Sequence, residues 1–211
     1  QLGLPGEERG MLKKASGRFS LAAQSFGQGL LVTAVQVAAA YGSIANGGVL
    51  MRPYAVREAR DARGGIRLAN APRQVRRVVS ASVARRVTEM MVGAVEYGTG
   101  QAARISGLRV AGKTGTAQKS TSRGYSEKGD KVVTFIGFLP ADAPRFLVLV
   151  TVDRPLWGTA GGVAGPVFRE IALACLRRFG AARPPPGTTV GFPVLIGSLA
   201  HRAGGSHGAS E

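Results

Sequence analysis

Val110-Ala-Gly-Lys-Thr-Gly-Thr-Ala-Gln-Lys119 decides how the rest of the chain is read. An apolar lead-in gives way to one lysine, two threonines and a glycine, followed by polar residues. As a strand, its side chains alternate between faces, so Thr114 and Thr116 share one face and Lys113 points to the other. Gly115 leaves the backbone bare between the two hydroxyls. Such a strand can approach a ligand closely and pair with it main chain to main chain. Its hydroxyls can hold a carboxylate, and the lysine makes the site positive. The candidate binding residues are Lys113, Thr114, Gly115 and Thr116.

The same residues fit a second pattern. Gly107-Leu-Arg-Val-Ala-Gly-Lys-Thr114 matches G-x-x-x-x-G-K-[ST], the phosphate-binding P-loop. Phe146-Leu-Val-Leu-Val-Thr-Val-Asp153 resembles the apolar strand whose aspartate holds magnesium in nucleotide-binding proteins. A P-loop, however, opens directly into a helix whose amino end faces the phosphates. Residues 115–129 contain three glycines and no apolar helical period, and Leu108-Arg-Val-Ala111 reads as the start of a strand. A nucleotide-binding protein is the weakest of the readings.

A chain of 211 residues fits one domain or a large part of one, and 45% hydrophobic residues can bury a substantial core. Its longest apolar runs fall far short of the ~20 residues that cross a bilayer. The start, Gln1-Leu-Gly-Leu-Pro-Gly, has no initiating methionine and no signal-peptide pattern, so a fragment or a processed product is expected. The net charge of +16, mostly arginine, suits nucleic acid, phospholipid head groups or acidic wall polymers. Arginines from Arg57 to Arg86 are scattered between apolar residues without an RNA-type aromatic motif, so a solvated surface is the reading taken and no nucleic-acid partner is expected. Cys175, the one cysteine, excludes an internal disulfide and lies on the apolar side of a helix, where it packs. His201 and His207 fall in a glycine-rich tail, which leaves no Cys/His metal site.

Along the chain, Ser20 caps a short helix to Ser25. Thr33-Ala-Val-Gln36 is a capping box for a helix with Ala34, Val37, Tyr41 and Ile44 on one face, stopped at Asn46-Gly47-Gly48. Residues 49–79 read as two short strands around Arg63-Gly-Gly65. A helix starts at Ser80 or Ser82, presents Val83, Val87, Met90 and Ala94, and ends at Gly98. Strands 109–118, 132–139 and 145–152 follow, the last two joined by a hairpin at Pro140–Pro144, with a polar loop at 119–131. A glycine-rich loop, 158–165, precedes a helix over 166–179 with Pro166 in its first turn and Phe168, Ala172, Cys175 and Phe179 as its stripe. The expected organisation is 1–180 as folded protein and 181–211 as a Pro/Gly/Ser-rich disordered tail. Trp157, in the loop before the last helix, is expected to pack on the sheet edge, a lid over the site being the alternative.

Several blocks then agree with one family. Leu4-Pro-Gly-Glu7, Ser25-Phe-Gly-Gln-Gly29 with Thr33 to Gly48, and Gly98-Thr-Gly-Gln-Ala-Ala103 precede the central strand. Phe135-Ile-Gly-Phe138 and Gly161-Gly-Val-Ala-Gly-Pro-Val-Phe168 follow it. Together they resemble, in order, the carboxyl-terminal part of the transpeptidase domain of a class B penicillin-binding protein, septal or elongation type. Lys-Thr-Gly is the third motif of the penicillin-interacting serine enzymes.

The resemblance implies an α+β fold of the serine β-lactamase kind, an antiparallel sheet with packed helices, here incomplete at its amino-terminal side. It implies peptidoglycan D,D-transpeptidation: an active serine attacks the D-Ala-D-Ala bond of a stem peptide, and the acyl group passes to a neighbouring amine. β-Lactams would acylate the same serine. Lys113 would supply positive charge, Thr114 and Thr116 would contact the substrate or drug carboxylate, and the Thr116 N–H would be one oxyanion donor. Partners would be the stem peptide or β-lactam, the upstream part of the same domain and the wall-synthesis machinery, at the periplasmic or extracellular face of the bacterial inner membrane. No cofactor is implied. The pattern departs at one point: no Ser-x-x-Lys and no Ser-x-Asn triplet occurs in residues 1–211. The nucleophile and its lysine are expected upstream, which leaves no catalytic residue here. A non-catalytic binding or interaction module of the same fold is the alternative.

Overall fold

The structure, a computed structural model, describes residues 2, 5–12, 14, 16–25, 27–121, 124–125, 130–180 and 194–200. The short strands β1 (Met11–Leu12) and β2 (Leu30–Leu31) pair antiparallel on either side of helix α1 (Arg18–Ser25) in sequence. Helix α2 (Ala34–Ala45) carries the expected capping box: Thr33 and Gln36 bond reciprocally, and the helix closes at Asn46. Next come β3 (Val49–Met51), β4 (Glu58–Arg60), β5 (Ile66–Ala69) and β6 (Gln74–Arg77). They form two separate antiparallel pairs, β3 with β6 and β4 with β5, four strands where two were expected. Helix α3 (Ala81–Glu96) and a 3-10 turn at Gln101–Ala103 lead to β7 (Ala111–Gln118). A small hairpin, β8 (Ser120–Thr121) and β9 (Gly124–Tyr125), precedes β10 (Lys131–Leu139), β11 (Phe146–Asp153), helix α4 (Ala160–Phe179) and β12 (Val194–Ala200).

The central sheet has the order β12-β11-β10-β7, antiparallel among β7, β10 and β11 as expected. β12 joins β11 in parallel, so part of the expected tail adds an edge strand, while residues 181–193 and 201–211, including both histidines, lie outside the described residues. The apolar runs of β10 and β11 are buried on both faces. On one face, Phe135, Val148 and Val150 meet Phe168, Ala172 and Cys175 of α4, with the Phe135 and Phe168 rings tilted at 4.7 Å between centroids. On the other face, Ile136, Phe138, Leu147 and Leu149 meet Ala38 of α2 and Met91 and Val92 of α3.

Several expectations need correction. Helix α1 starts at Arg18, so Ser20 lies inside it, donating to Gly17 C=O at 3.2 Å, where it was expected to cap the helix. Helix α4 begins at Ala160, six residues before Pro166, because Thr159 caps it by accepting from Gly162 N–H at 3.2 Å, so the proline sits inside the helix. Helix α3 buries Ala84, Thr88, Met91, Val92 and Val95. Of the expected stripe Val87 packs half-buried against the core and Ala94 is half-buried, while Val83 and Met90 are exposed, and Thr88 takes a core position by satisfying its hydroxyl on Ala84 C=O at 3.0 Å. Trp157 stands 79% exposed and does not pack on the sheet edge. No helix follows Lys113 and Thr114, which lie within β7, so the P-loop reading fails.

Candidate functional site

β7 is an edge strand: β10 pairs with one side and no strand among the described residues pairs with the other. The phase of its ladder can be fixed. Lys119 N–H donates to Asp130 C=O at 2.9 Å, and the antiparallel register runs from Lys131 opposite Gln118 to Phe138 opposite Ala111. Hydrogen-bonded pairs alternate in such a ladder, so Ala117, Gly115 and Lys113 bond inward to β10. Thr114 and Thr116 turn their N–H and C=O groups to the free edge. The Thr114 carbonyl accepts from Lys113 Nζ at 2.9 Å.

Side chains follow the same alternation. Thr114 lies opposite Phe135 and Thr116 opposite Val133, on the α4 face, while Lys113 lies opposite Ile136 on the other. Lys113, Gly115 and Thr116 are exposed and Thr114 is half-buried. Lys113 has no carboxylate partner among the described residues. A Cβ added to Gly115 would meet only Thr134 Cβ among the described residues, at an ordinary 3.6 Å, so none of these neighbours requires glycine here. The side of Gly115 without a Cβ is open to solvent, while its N–H and C=O bond inward to β10.

Both ends of β7 are pinned. At its start Arg109 pairs with Glu89 at 2.6 Å and with Asp142; the hydrogen bond to Glu89, first among several causes, raises the guanidinium above its usual range. At its end Lys119 Nζ reaches both Asp153 oxygens at 2.9 Å, and Arg154 Nε lies 3.4 Å from Asp130. The expected polar loop between Lys119 and Lys131 lies partly outside the described residues, as do Leu4 and Phe26 of the family blocks.

Thr99 was missed by reading the sequence. Its Oγ1 lies 2.8 Å from Thr114 Oγ1, and its carbonyl oxygen would sit 2.0 Å from a Cβ on Gly161 in the first turn of α4. The loop at Thr99 therefore locks against both β7 and α4. The glycines on either side of Thr99, together with Gly161-Gly162, were the available signal for a close crossing of backbones. A separate cleft of about 550 Å³, lined by Glu96 and residues 104–109, includes none of Lys113–Thr116, and its Arg104 is already paired with Glu96 at 2.8 Å.

A family model described as "Penicillin binding protein transpeptidase domain" matches residues 1–173. The "Probable peptidoglycan D,D-transpeptidase PenA" of Neisseria flavescens is 38% identical over 189 residues, 87% of this chain and 44% of that protein. Stage V sporulation protein D of Bacillus subtilis is 37% identical over 184 residues, 84% of this chain and 28% of its own length. The chain thus spans less than half of these curated relatives. Among solved structures, apo penicillin binding protein 3 of Mycobacterium tuberculosis superposes with a TM-score of 0.76 at 31% identity, over 88% of this chain and 44% of that one. The apo transpeptidase domain of Burkholderia pseudomallei penicillin-binding protein 3 gives 0.73 at 37% identity, over 88% and 55%.

Proposed function

The chain belongs to the penicillin-binding-protein transpeptidase family, and from that premise we propose that residues 111–118 form the carboxylate-holding wall of a peptidoglycan D,D-transpeptidase site. The observation that carries this is the pairing of an uncrowded Gly115 with a free strand edge at Thr114 and Thr116. An extended peptide ending in D-Ala-D-Ala adds to that edge as a further strand, its terminal carboxylate held by the threonine hydroxyls and drawn by Lys113. The Thr116 N–H, aimed outward, is one donor to the oxyanion of the tetrahedral intermediate. The serine that attacks, the lysine that activates it and the second oxyanion donor come from a segment outside these 211 residues, since no Ser-x-x-Lys occurs within them. Acylation joins the serine oxygen to the penultimate D-Ala carbonyl and releases the last D-Ala. An amine of a neighbouring stem then takes the acyl group and frees the serine.

The setting proposed is the bacterial envelope, in the wall-synthesis machinery, as septal or elongation cross-linker. No described helix is long and apolar enough to cross a membrane. Alone, the chain holds carboxylates without chemistry. Each hydrogen bond contributes only about 1 kcal/mol net, so N-acetyl-D-Ala-D-Ala is expected to bind in the millimolar range or weaker, shifting the Thr114 and Thr116 amide resonances. Incubation with a fluorescent penicillin is expected to give no covalent band on a denaturing gel. A band lost on mutating a serine of this chain overturns the assignment of the nucleophile to another segment. Labelling restored by a segment carrying Ser-x-x-Lys, and weakened by Lys113→Ala, supports the role of the strand.

A further inference from the structure

Residues 52–77 carry eight arginines and no lysine against Glu58 and Asp61, a surplus of six positive charges in a chain whose net charge is +16. Every residue at 55–60 and 62–69 is exposed, so the β4–β5 hairpin stands out from the sheet with both faces in solvent. Arg60 pairs with Glu58 at 2.5 Å and Arg67 with Asp61 at 2.9 Å. Arg57, Arg63, Arg73 and Arg76 have no ion pair among the described residues. Val56, Ile66, Leu68 and Val75 lie among them, each 40–57% exposed. A two-stranded hairpin bare on both faces is marginal in water. Packing within the chain therefore does not account for this composition.

Guanidinium groups hold carboxylates through two parallel hydrogen bonds, which ammonium groups cannot do. Across 52–77 the one aromatic side chain is the half-buried Tyr54, and the exposed hairpin carries none of the platforms that stack nucleic-acid bases or anchor proteins at a lipid interface. The mixture of free guanidinium groups and exposed aliphatic side chains matches an extended chain bearing carboxylates and small aliphatic groups. A stem peptide rich in alanyl methyls and acidic residues has that chemistry and can run along a free strand edge of the hairpin.

We propose that the β4–β5 arm, with Arg73 and Arg76 in the segment that follows it, is a second binding site that holds un-cross-linked stem peptides by their carboxylates. This rests on the stem-peptide reading above, and the two sites are tested separately. The whole isotope-labelled chain is titrated with soluble un-cross-linked glycan strands bearing pentapeptide stems, then with the same strands after amidation of their carboxylates, and with a DNA duplex. The free strands are expected to shift resonances at 57–69, with affinity falling about tenfold or more on amidation. The triple variant Arg57→Gln, Arg63→Gln, Arg76→Gln is expected to lose a similar factor with its unfolding midpoint unchanged, while Thr116→Ala leaves the arm's shifts in place. Equal binding of amidated strands or DNA, or shifts confined to Thr114 and Thr116, overturns the arm site and leaves the strand reading intact. Arm shifts with the free strands, but none at Thr114 and Thr116 with N-acetyl-D-Ala-D-Ala, would sink the reading of β7 and leave the arm standing.

Discussion

On the α4 side of the central sheet, Phe135, Phe146, Val148 and Phe168 are sealed from solvent, and the helix meets the strands along most of its length. On the opposite side, α2 is almost wholly apolar in sequence, yet Ala38 is its one buried apolar residue, and α1, which precedes it in the chain, has none. Phe19, Leu21, Leu12 and Leu31 all lie open, Phe19 at 89%. The contrast separates two kinds of hydrophobic patterning. Over α4 the apolar residues complete one another within the chain. Over α1 and α2 they have the composition of a core without its closure, and the exposed apolar surface is what an interacting segment would cover.

The largest effect that can break this contrast is a cavity. Phe168→Ala should cost about 3–5 kcal/mol of unfolding free energy in a urea titration, as large aromatic truncations in closed cores do. Phe19→Ala should stay within about 0.5 kcal/mol, as exposed substitutions do. Equal losses would show that the α1 segment is closed in solution as well.

Overpacking gives the next effect. Gly161→Ala places a methyl group 2.0 Å from the Thr99 carbonyl oxygen, a backbone atom that cannot swing away. A loss of about 1–3 kcal/mol is expected from the displaced loop or helix. Gly162→Ala meets Thr159 Oγ1 at 3.4 Å and should be near neutral by the same urea assay.

A smaller effect tests the link from the closed face to the site. Thr99→Val keeps the shape and removes the hydroxyl 2.8 Å from Thr114, for a loss of about 1 kcal/mol. Thr99→Ser should restore it. The Thr114 amide shift on adding N-acetyl-D-Ala-D-Ala should weaken in the valine variant and return in the serine one.

The smallest effect is in pH. Burial pushes the Cys175 thiol up on the α4 side and the Tyr41 hydroxyl up on the α2 side. A raised folded pKa means the folded state keeps its proton longer, so stability is intact below the unfolded value and falls as pH rises through it. Urea midpoints should decline above the ordinary thiol range, then further above the ordinary phenol range. Cys175→Ala should flatten the first decline and Tyr41→Phe the second.

The most legible parts of the chain were those whose physics is local. Thr33 and Gln36 sit three apart and bond each other, and the runs at 132–139 and 146–152 could bury both faces of a strand, so each could be read from its own residues. The alternation in Lys113–Thr116 likewise gave the face of each side chain before any neighbour was known. What failed was set by distant residues. Thr88 entered the core because a carbonyl one turn back took its hydroxyl, which a count of apolar residues cannot register. Pro166 drew the start of α4 to itself, although Thr159 and a row of glycines allowed the helix to begin earlier against Thr99. The Thr99–Thr114 pair spans fifteen positions and a change of element, and no periodicity connects such residues. Trp157 was assigned by its usual burial, which holds only where a surface is present to receive it.

The bond from Lys119 to Asp130 bears on how this protein can change its length. It sets which residues of β7 face outward, so every position between Thr116 and Lys119 counts. Deleting one residue there would slip the pairing and turn the N–H of Thr116 inward to β10. A change of length beyond the bond does not move that phase. Insertions and deletions are therefore expected to collect beyond Lys119 and to be absent before it, so tolerance to a change of length begins one residue after a strand whose length is fixed.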